Sequence, residues 1–199
     1  MPGDFLRRQP QLSLPVFHAF RSTRPDEEKW ELIDGVPMRM PPPSLAHQRL
    51  VSTLAALLNA RLQLVKPEWQ AGHDIGLLVP GDDKYNPEPD VSVIDAGIDE
   101  DQGFAERFYL VAEVLSESDQ PAVIAAKFAY YQSHQPNRAV LLVRQDRLGV
   151  TVHARLDASR WSERELSAPG DMIELPEIGP IGPLGQLYRD TPLDPAKAG

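Results

Sequence analysis

Three polar side chains stand where the surrounding sequence is built for burial. Asp90 heads the β-branched run Val91-Ser92-Val93-Ile94, and Glu113 interrupts the apolar run Tyr109-Leu110-Val111-Ala112-Glu113-Val114-Leu115. Lys127 is the single lysine of a helical pattern over residues 121–135. Burying an ionised carboxylate costs several kcal/mol or more unless a partner or a metal neutralises it. Two carboxylates entering one site from neighbouring strands repel each other, and a hard cation with oxygen ligands relieves that repulsion. Mg²⁺ typically takes one or two carboxylates together with waters and a substrate phosphate. A backbone carbonyl beside Glu113, that of Val114 foremost, can add a third protein ligand. Lys127 lies on the helix that follows directly, where an ammonium can orient a bound water or steady charge on an attacked phosphate.

Plainer readings stand beside these. Asp90 can be a strand-edge acid facing solvent, and Lys127 an ordinary lysine whose stem covers apolar surface. Glu113, in mid-run, is harder to place in water. Glu31, beside a hairpin turn, can either approach the same pocket or pair with a lysine. His47 heads a long helix, where it can contact substrate or cap the helix. His18, His73, His134 and His153 have no metal-ligand spacing. No glycine-rich phosphate loop, nucleophile elbow or zinc motif is present in the sequence.

The chain has 199 residues, 42% of them hydrophobic, enough for one core. It has no cysteine, so disulfides and thiolate metal sites are excluded. The first ten residues lack the apolar core of a signal peptide, and no apolar run is long enough to span a bilayer. A cytoplasmic protein without a membrane partner is the expectation. The net charge of −9 argues against a generic nucleic-acid coat. That charge is uneven. Residues 1–66 carry nine Lys/Arg against six Asp/Glu, whereas residues 67–119 carry two against fourteen. The acidic stretch is either a solvated face or a carboxylate-rich pocket that draws a divalent cation.

Coarse periodicity places these residues on elements. Asp34-Gly35 between Trp30–Ile33 and residues 36–40 is a two-residue hairpin signal. Pro41-Pro42-Pro43 stops the second strand, and Ser44 is a helix cap. Leu50, Leu54, Leu57 and Leu58 give a helix over residues 47–64. Strands are expected at 75–79, 90–94, 109–116, 139–143, 149–155, 164–166 and 172–175, with an acidic loop at 95–103. Pro121 suits the first turn of the helix that carries Lys127. The expected organisation is a loop and short helix over 1–28, one domain over 29–190 and a flexible tail over 191–199. The fold class is α/β (α+β), a mixed central sheet flanked by helices with an N-terminal β-hairpin.

Trp30-Glu31-Leu32-Ile33-Asp34-Gly35, Met40-Pro41 with Ser44 and His47, Pro89-Asp90-Val91, Glu113-Val114-Leu115-Ser116, Lys127 and Tyr131 resemble the Uma-type restriction endonuclease family of the PD-(D/E)xK nuclease superfamily. The resemblance extends through Gly170-Asp171-Met172 and so covers nearly the whole chain. It implies a restriction-endonuclease-like fold and a Mg²⁺- or Mn²⁺-dependent endonuclease that hydrolyses DNA phosphodiester bonds. Asp90 and Glu113 would be metal ligands, with Val114 beside them. Glu31 would be an auxiliary acid, and Lys127 a catalytic lysine moved from strand to helix. The superfamily's usual lysine position is Leu115 here. Val123 stands where the family tends to have an acid, and Glu117-Ser118-Asp119 where it tends to have a Pro-Ser/Thr pair. DNA is the expected partner, with His47, Arg39 and Arg49 as its contacts, and a homodimer the expected assembly. A catalytically weakened relative serving as a binding or oligomerisation module is the alternative.

Overall fold

The computed structural model describes residues 9–98, 103–117 and 119–197. Residues 1–8 of the expected N-terminal loop, 99–102 of the acidic loop, Ser118 and residues 198–199 of the expected tail lie outside the described residues. Strands β1 (Trp30–Ile33) and β2 (Val36–Arg39) form the expected antiparallel hairpin. Its turn residues Asp34 and Gly35 both have positive φ, 50° and 77°, as a tight two-residue turn requires. Helix α1 (Leu14–Arg21) packs on this hairpin through Phe17, fully buried, and Phe20, edge-on to Trp30 at 4.9 Å. The N-terminal helix is therefore part of the same body as the hairpin.

Helix α2 (Leu45–Val65) begins at Ser44, whose hydroxyl oxygen accepts from the His47 N–H at 3.1 Å. Beyond it lie β3 (Trp69–Gly72), β4 (Gly76–Leu77), β5 (Val91–Asp95), β6 (Phe104–Ala105) and β7 (Phe108–Leu115). Helix α3 (Pro121–Ser133) leads to β8 (Ala139–Arg144), β9 (Val150–Arg155) and β10 (Trp161–Leu166). Six of these strands form one mixed sheet in the order β10-β9-β8-β7-β5-β3. Its neighbours are antiparallel except β7 and β8, which run parallel and are joined by the α3 crossover.

Strand alternation divides the core. Leu50, Leu54 and Leu58 of α2 pack with Val91, Val93, Ala112, Leu141 and Val143 on one face. Tyr130 and Tyr131 of α3 pack with Ile94, Val111 and Val140 on the other. Glu113 shares parity with Val111, so its strand turns it to the α3 face.

Two expectations change. The strand expected at 75–79 shrinks to β4, which pairs with β6 outside the main sheet. Edge strand β3 has no apolar alternation to announce it, all four residues being half-buried. At the C-terminus, β11 (Met172–Leu175) and β12 (Gly179–Pro183) pair, and α4 (Leu184–Leu187) follows. Where a flexible tail is expected, residues 191–197 are held. Thr191 Oγ1 donates to the Tyr188 carbonyl at 2.6 Å, and the Asp194 carboxylate accepts from the Asp190 and Ala196 N–H groups at 2.9 and 3.0 Å. Among the described residues no helix is long and apolar enough to cross a membrane.

Candidate active site

Lys127 and Tyr131 are one turn apart on α3, and both face the sheet across from Glu113. The Lys127 ammonium lies 2.7 Å from Glu113 Oε1, and the Tyr131 hydroxyl donates to that same oxygen at 2.6 Å. The ammonium also lies 3.0 Å from Glu31 Oε2, an ion pair without hydrogen-bond alignment, and 3.4 Å from Oε1. Glu31 arrives from β1 because the hairpin sits against α3, where Ile33 and Val36 pack with Val123. Glu31, Glu113 and Lys127 are 1%, 7% and 5% exposed. One buried cation thus bridges two buried anions from distant segments.

Asp90 stands just before β5 and is held at both oxygens. Its Oδ2 accepts from the Val114 N–H at 2.7 Å, and His47 Nε2 lies 2.8 Å from Oδ1. Asp90, Glu113, Val114, Glu31, His47 and Lys127 all line one cavity of about 700 Å³. Leu115 does not line it. The expected contacts Arg39 and Arg49 do not line it either. Arg39 is exposed and pairs with Glu28 at 3.2 Å. Arg49 points across α2 to the C-terminal segment, where its guanidinium bonds the Asp190 carbonyl. Arg61 likewise serves structure, donating to the Ile178 carbonyl at 2.5 Å.

Sequence reasoning passes over Lys29, Asp74, Glu88 and Gln145 and sets His73 aside as a metal ligand, yet all five also line the cavity. Lys29 Nζ bonds Asp74 at 2.8 Å, and the buried Glu88 pairs with Arg21 at 2.6 Å. A signal for two of them exists. Lys29 precedes Glu31 by two residues, and Glu88 precedes Asp90 by two, which puts each pair on one side of an extended chain.

Charge sets the protonation of this cluster. Burial works against the Lys127 ammonium, yet Glu113 and Glu31 outweigh it and hold its pKa above the ordinary lysine range. Burial pushes Glu113 up to about 7, with Lys127 opposing and Asp90 and Glu31 adding to the rise. Burial disfavours the His47 cation, but the hydrogen bond to Asp90 and its charge prevail and raise the pKa. Burial, then Glu113 and Glu31, keep Tyr131 protonated and a donor.

A stability prediction follows from Glu113, whose folded pKa of about 7 lies above its ordinary 4.5. Between those values the folded state holds a proton that the unfolded chain has lost, so stability falls as pH rises through the window. Denaturation of metal-free protein across this range should show that decline, and Glu113→Gln should flatten it. A variant with the wild-type slope would remove Glu113 as its source.

The donors can be weighed against a divalent cation. Asp90 and Glu113 share the cavity, the charge of Asp90 raises the pKa of Glu113, and both offer oxygen donors. Among the described residues no group of three His, Asp or Glu side chains is arranged to hold a metal. That set does not form a closed cage. Mg²⁺ and Mn²⁺ are the cations that tolerate so incomplete an oxygen set, because they take waters for the rest of the shell.

The mixed six-stranded sheet flanked by helices, with the N-terminal hairpin packed against α3, is a restriction-endonuclease-like fold. The chain belongs to the Uma2 family, described as "Putative restriction endonuclease", whose family profile matches residues 14–183. Its fold is similar to that of a crystal structure described as "a putative nuclease belonging to DUF820" from Anabaena variabilis. That match has a TM-score of 0.68 and 15% identity, and it covers 89% of this chain and 97% of the other. No curated protein matches the chain.

Proposed function

We propose that the protein is a Mg²⁺- or Mn²⁺-dependent endonuclease that hydrolyses DNA phosphodiester bonds. The observation that carries this reading is the Lys127 ammonium shared by Glu113 and Glu31 at the wall of a cavity that also receives Asp90. Family membership supports nuclease chemistry, and the PD-(D/E)xK assignment rests on these residues standing in for its acid, acid and lysine. Asp90 and Glu113, with Val114 adjoining, would hold the cation, which supplies Lewis acidity and a water of lowered pKa. Lys127 stays protonated, so its role is electrostatic stabilisation of the attacked phosphate and not that of a base. Tyr131 orients Glu113 by its hydrogen bond to Oε1. His47 orients Asp90 and reaches the cavity, where it can also meet substrate. Lys29 and His73 line the cavity where Arg39 and Arg49 do not, which makes them the better candidates for phosphate contacts.

The direct test is incubation of supercoiled plasmid with purified protein and Mg²⁺ or Mn²⁺, with and without chelator. Nicking or linearisation should stop with chelator and return with excess metal. Plasmid and single-stranded DNA both left intact at every metal concentration, or cleavage that persists in chelator, contradicts the reading.

A second reading has its own support. Each carboxylate already has a protein partner, Asp90 with His47 and Glu113 and Glu31 with Lys127. Val123 fills an apolar contact with Ile33 and Val36. A catalytically weakened chain acting as a binding or oligomerisation module would keep that arrangement, and inert plasmid together with a stable homodimer would favour it.

A further inference from the structure

The reacting groups lie in a recess whose walls bear on the form of DNA that can reach them. Glu31, Glu113 and Lys127 are all at least nine-tenths buried, so an attacked phosphate has to enter the cavity. At about 700 Å³ the cavity has the size of a small-ligand pocket. A duplex presents its phosphates on a stiff two-stranded cylinder, whose major groove alone is about 12 Å wide. An unpaired strand can turn one phosphate inward while its flanking nucleotides bend away.

The composition of the walls points the same way. Met40, Pro41, Pro42 and Pro43 form an apolar wall, with Val51 and Ile124 alongside. The prolines fix φ and keep this wall stiff, and the Met40 N–H is held by the Lys29 carbonyl at 2.9 Å. In a duplex the base faces are stacked and hidden. In a single strand they are free to lie on such a surface. The cations are few. Lys29 and Lys127 are the lysines of the lining, and each is already paired with a carboxylate. Duplex binding draws its affinity from many phosphate contacts, whereas single-strand binding adds contact with the base faces.

We propose that the recess accepts an unpaired stretch of DNA, with one phosphate turned toward Lys127 and the adjoining sugar and base against the Met40–Pro43 wall. This deepens the nuclease reading and rests on it for the chemistry, but strand preference is measurable without cleavage. In chelator, fluorescence anisotropy would compare a labelled strand of about 20 nucleotides with the same strand annealed to its complement. The single strand should bind at least roughly tenfold more tightly, and Met40→Glu should weaken it by about tenfold. With Mn²⁺ present, a duplex containing an unpaired bubble should be cut only within the bubble.

Preferential binding without cleavage in Mg²⁺ or Mn²⁺ supports the strand assignment and overturns the hydrolytic one. Duplex bound as tightly as the strand, or cut as fast, overturns the strand assignment and leaves hydrolysis standing. Binding of neither, together with no cleavage of strand or duplex in Mg²⁺ or Mn²⁺, overturns both. A folded Met40→Glu protein with unchanged affinity removes the wall from the argument, and the wild-type comparison holds whether or not that variant folds.

Discussion

Lys127→Ala is expected to lower the rate of DNA hydrolysis on the order of 10²–10³-fold, the range typical of losing one donor to a developing negative charge. The same change should weaken the fold. Lys127 is the cation between two buried carboxylates, at 2.7 Å from Glu113 and 3.0 Å from Glu31. Removing one partner of a buried ion pair leaves charge without compensation and costs about 3–5 kcal/mol. The carboxylates would then take up protons, so the variant should be most stable at acid pH and lose stability toward neutrality more steeply than wild type. Lys127→Met, which keeps most of the volume, should share the electrostatic loss and avoid most of the cavity term. Adding Leu115→Lys should recover little, because position 115 does not line the cavity even though it shares a strand face with Glu113. Rate measurements and denaturant titrations across pH test all of this. Wild-type turnover in a folded Lys127→Ala protein would reduce the lysine to a structural role.

Metal should raise the melting temperature, and Asp90→Asn should abolish that response. A ligand at about 100 times its dissociation constant stabilises by about 2.7 kcal/mol. For a chain of this length each kcal/mol moves the midpoint by roughly 2–4 °C, so a rise of roughly 5–10 °C is expected with saturating Mn²⁺ or Mg²⁺. Asp90 is also the acceptor for Val114 N–H and the partner of His47. Asparagine can keep one of these contacts through its amide oxygen and lacks the charge that attracts a cation. The variant should therefore fold, with its melting curve indifferent to metal and to chelator. A wild-type curve that ignores metal in the millimolar range, or an Asp90→Asn curve that still responds, would sink the assignment of Asp90.

Much of this arrangement was legible in the residues, for reasons that differ by element. Asp34-Gly35 reports its turn because few pairs tolerate two positive φ values. Glu113 reports a site because an acid in an apolar strand has to find a partner, and Pro121 reports the start of the helix that provides it. Local patterns carry less about direction. Arg39 and Arg49 read as phosphate contacts from their charge and segment, but a long flexible side chain settles on whatever acceptor the fold brings near. The pairing of His47 with Asp90 joins residues that the chain separates widely, so no local pattern contains it. Edge strand β3 escaped because a half-buried strand needs no alternation. Val123 reads as a packing residue once Ile33 and Val36 are seen against it.

The Lys127 bridge also has a consequence for the order in which the protein becomes competent during synthesis. Glu31 leaves the ribosome early, Asp90 and Glu113 later, and Lys127 last of the four. No nascent fragment ending before residue 127 can carry the charge-balanced centre. A chain that has lost its first hairpin retains the lysine opposite a single buried partner. Two pieces divided anywhere between Ile33 and Pro121 would each lack part of the centre, and only their reassociation would rebuild it. The protein is thus arranged so that partial copies, whether growing or broken, lack the complete set of groups, a useful property in a chain whose proposed substrate is DNA.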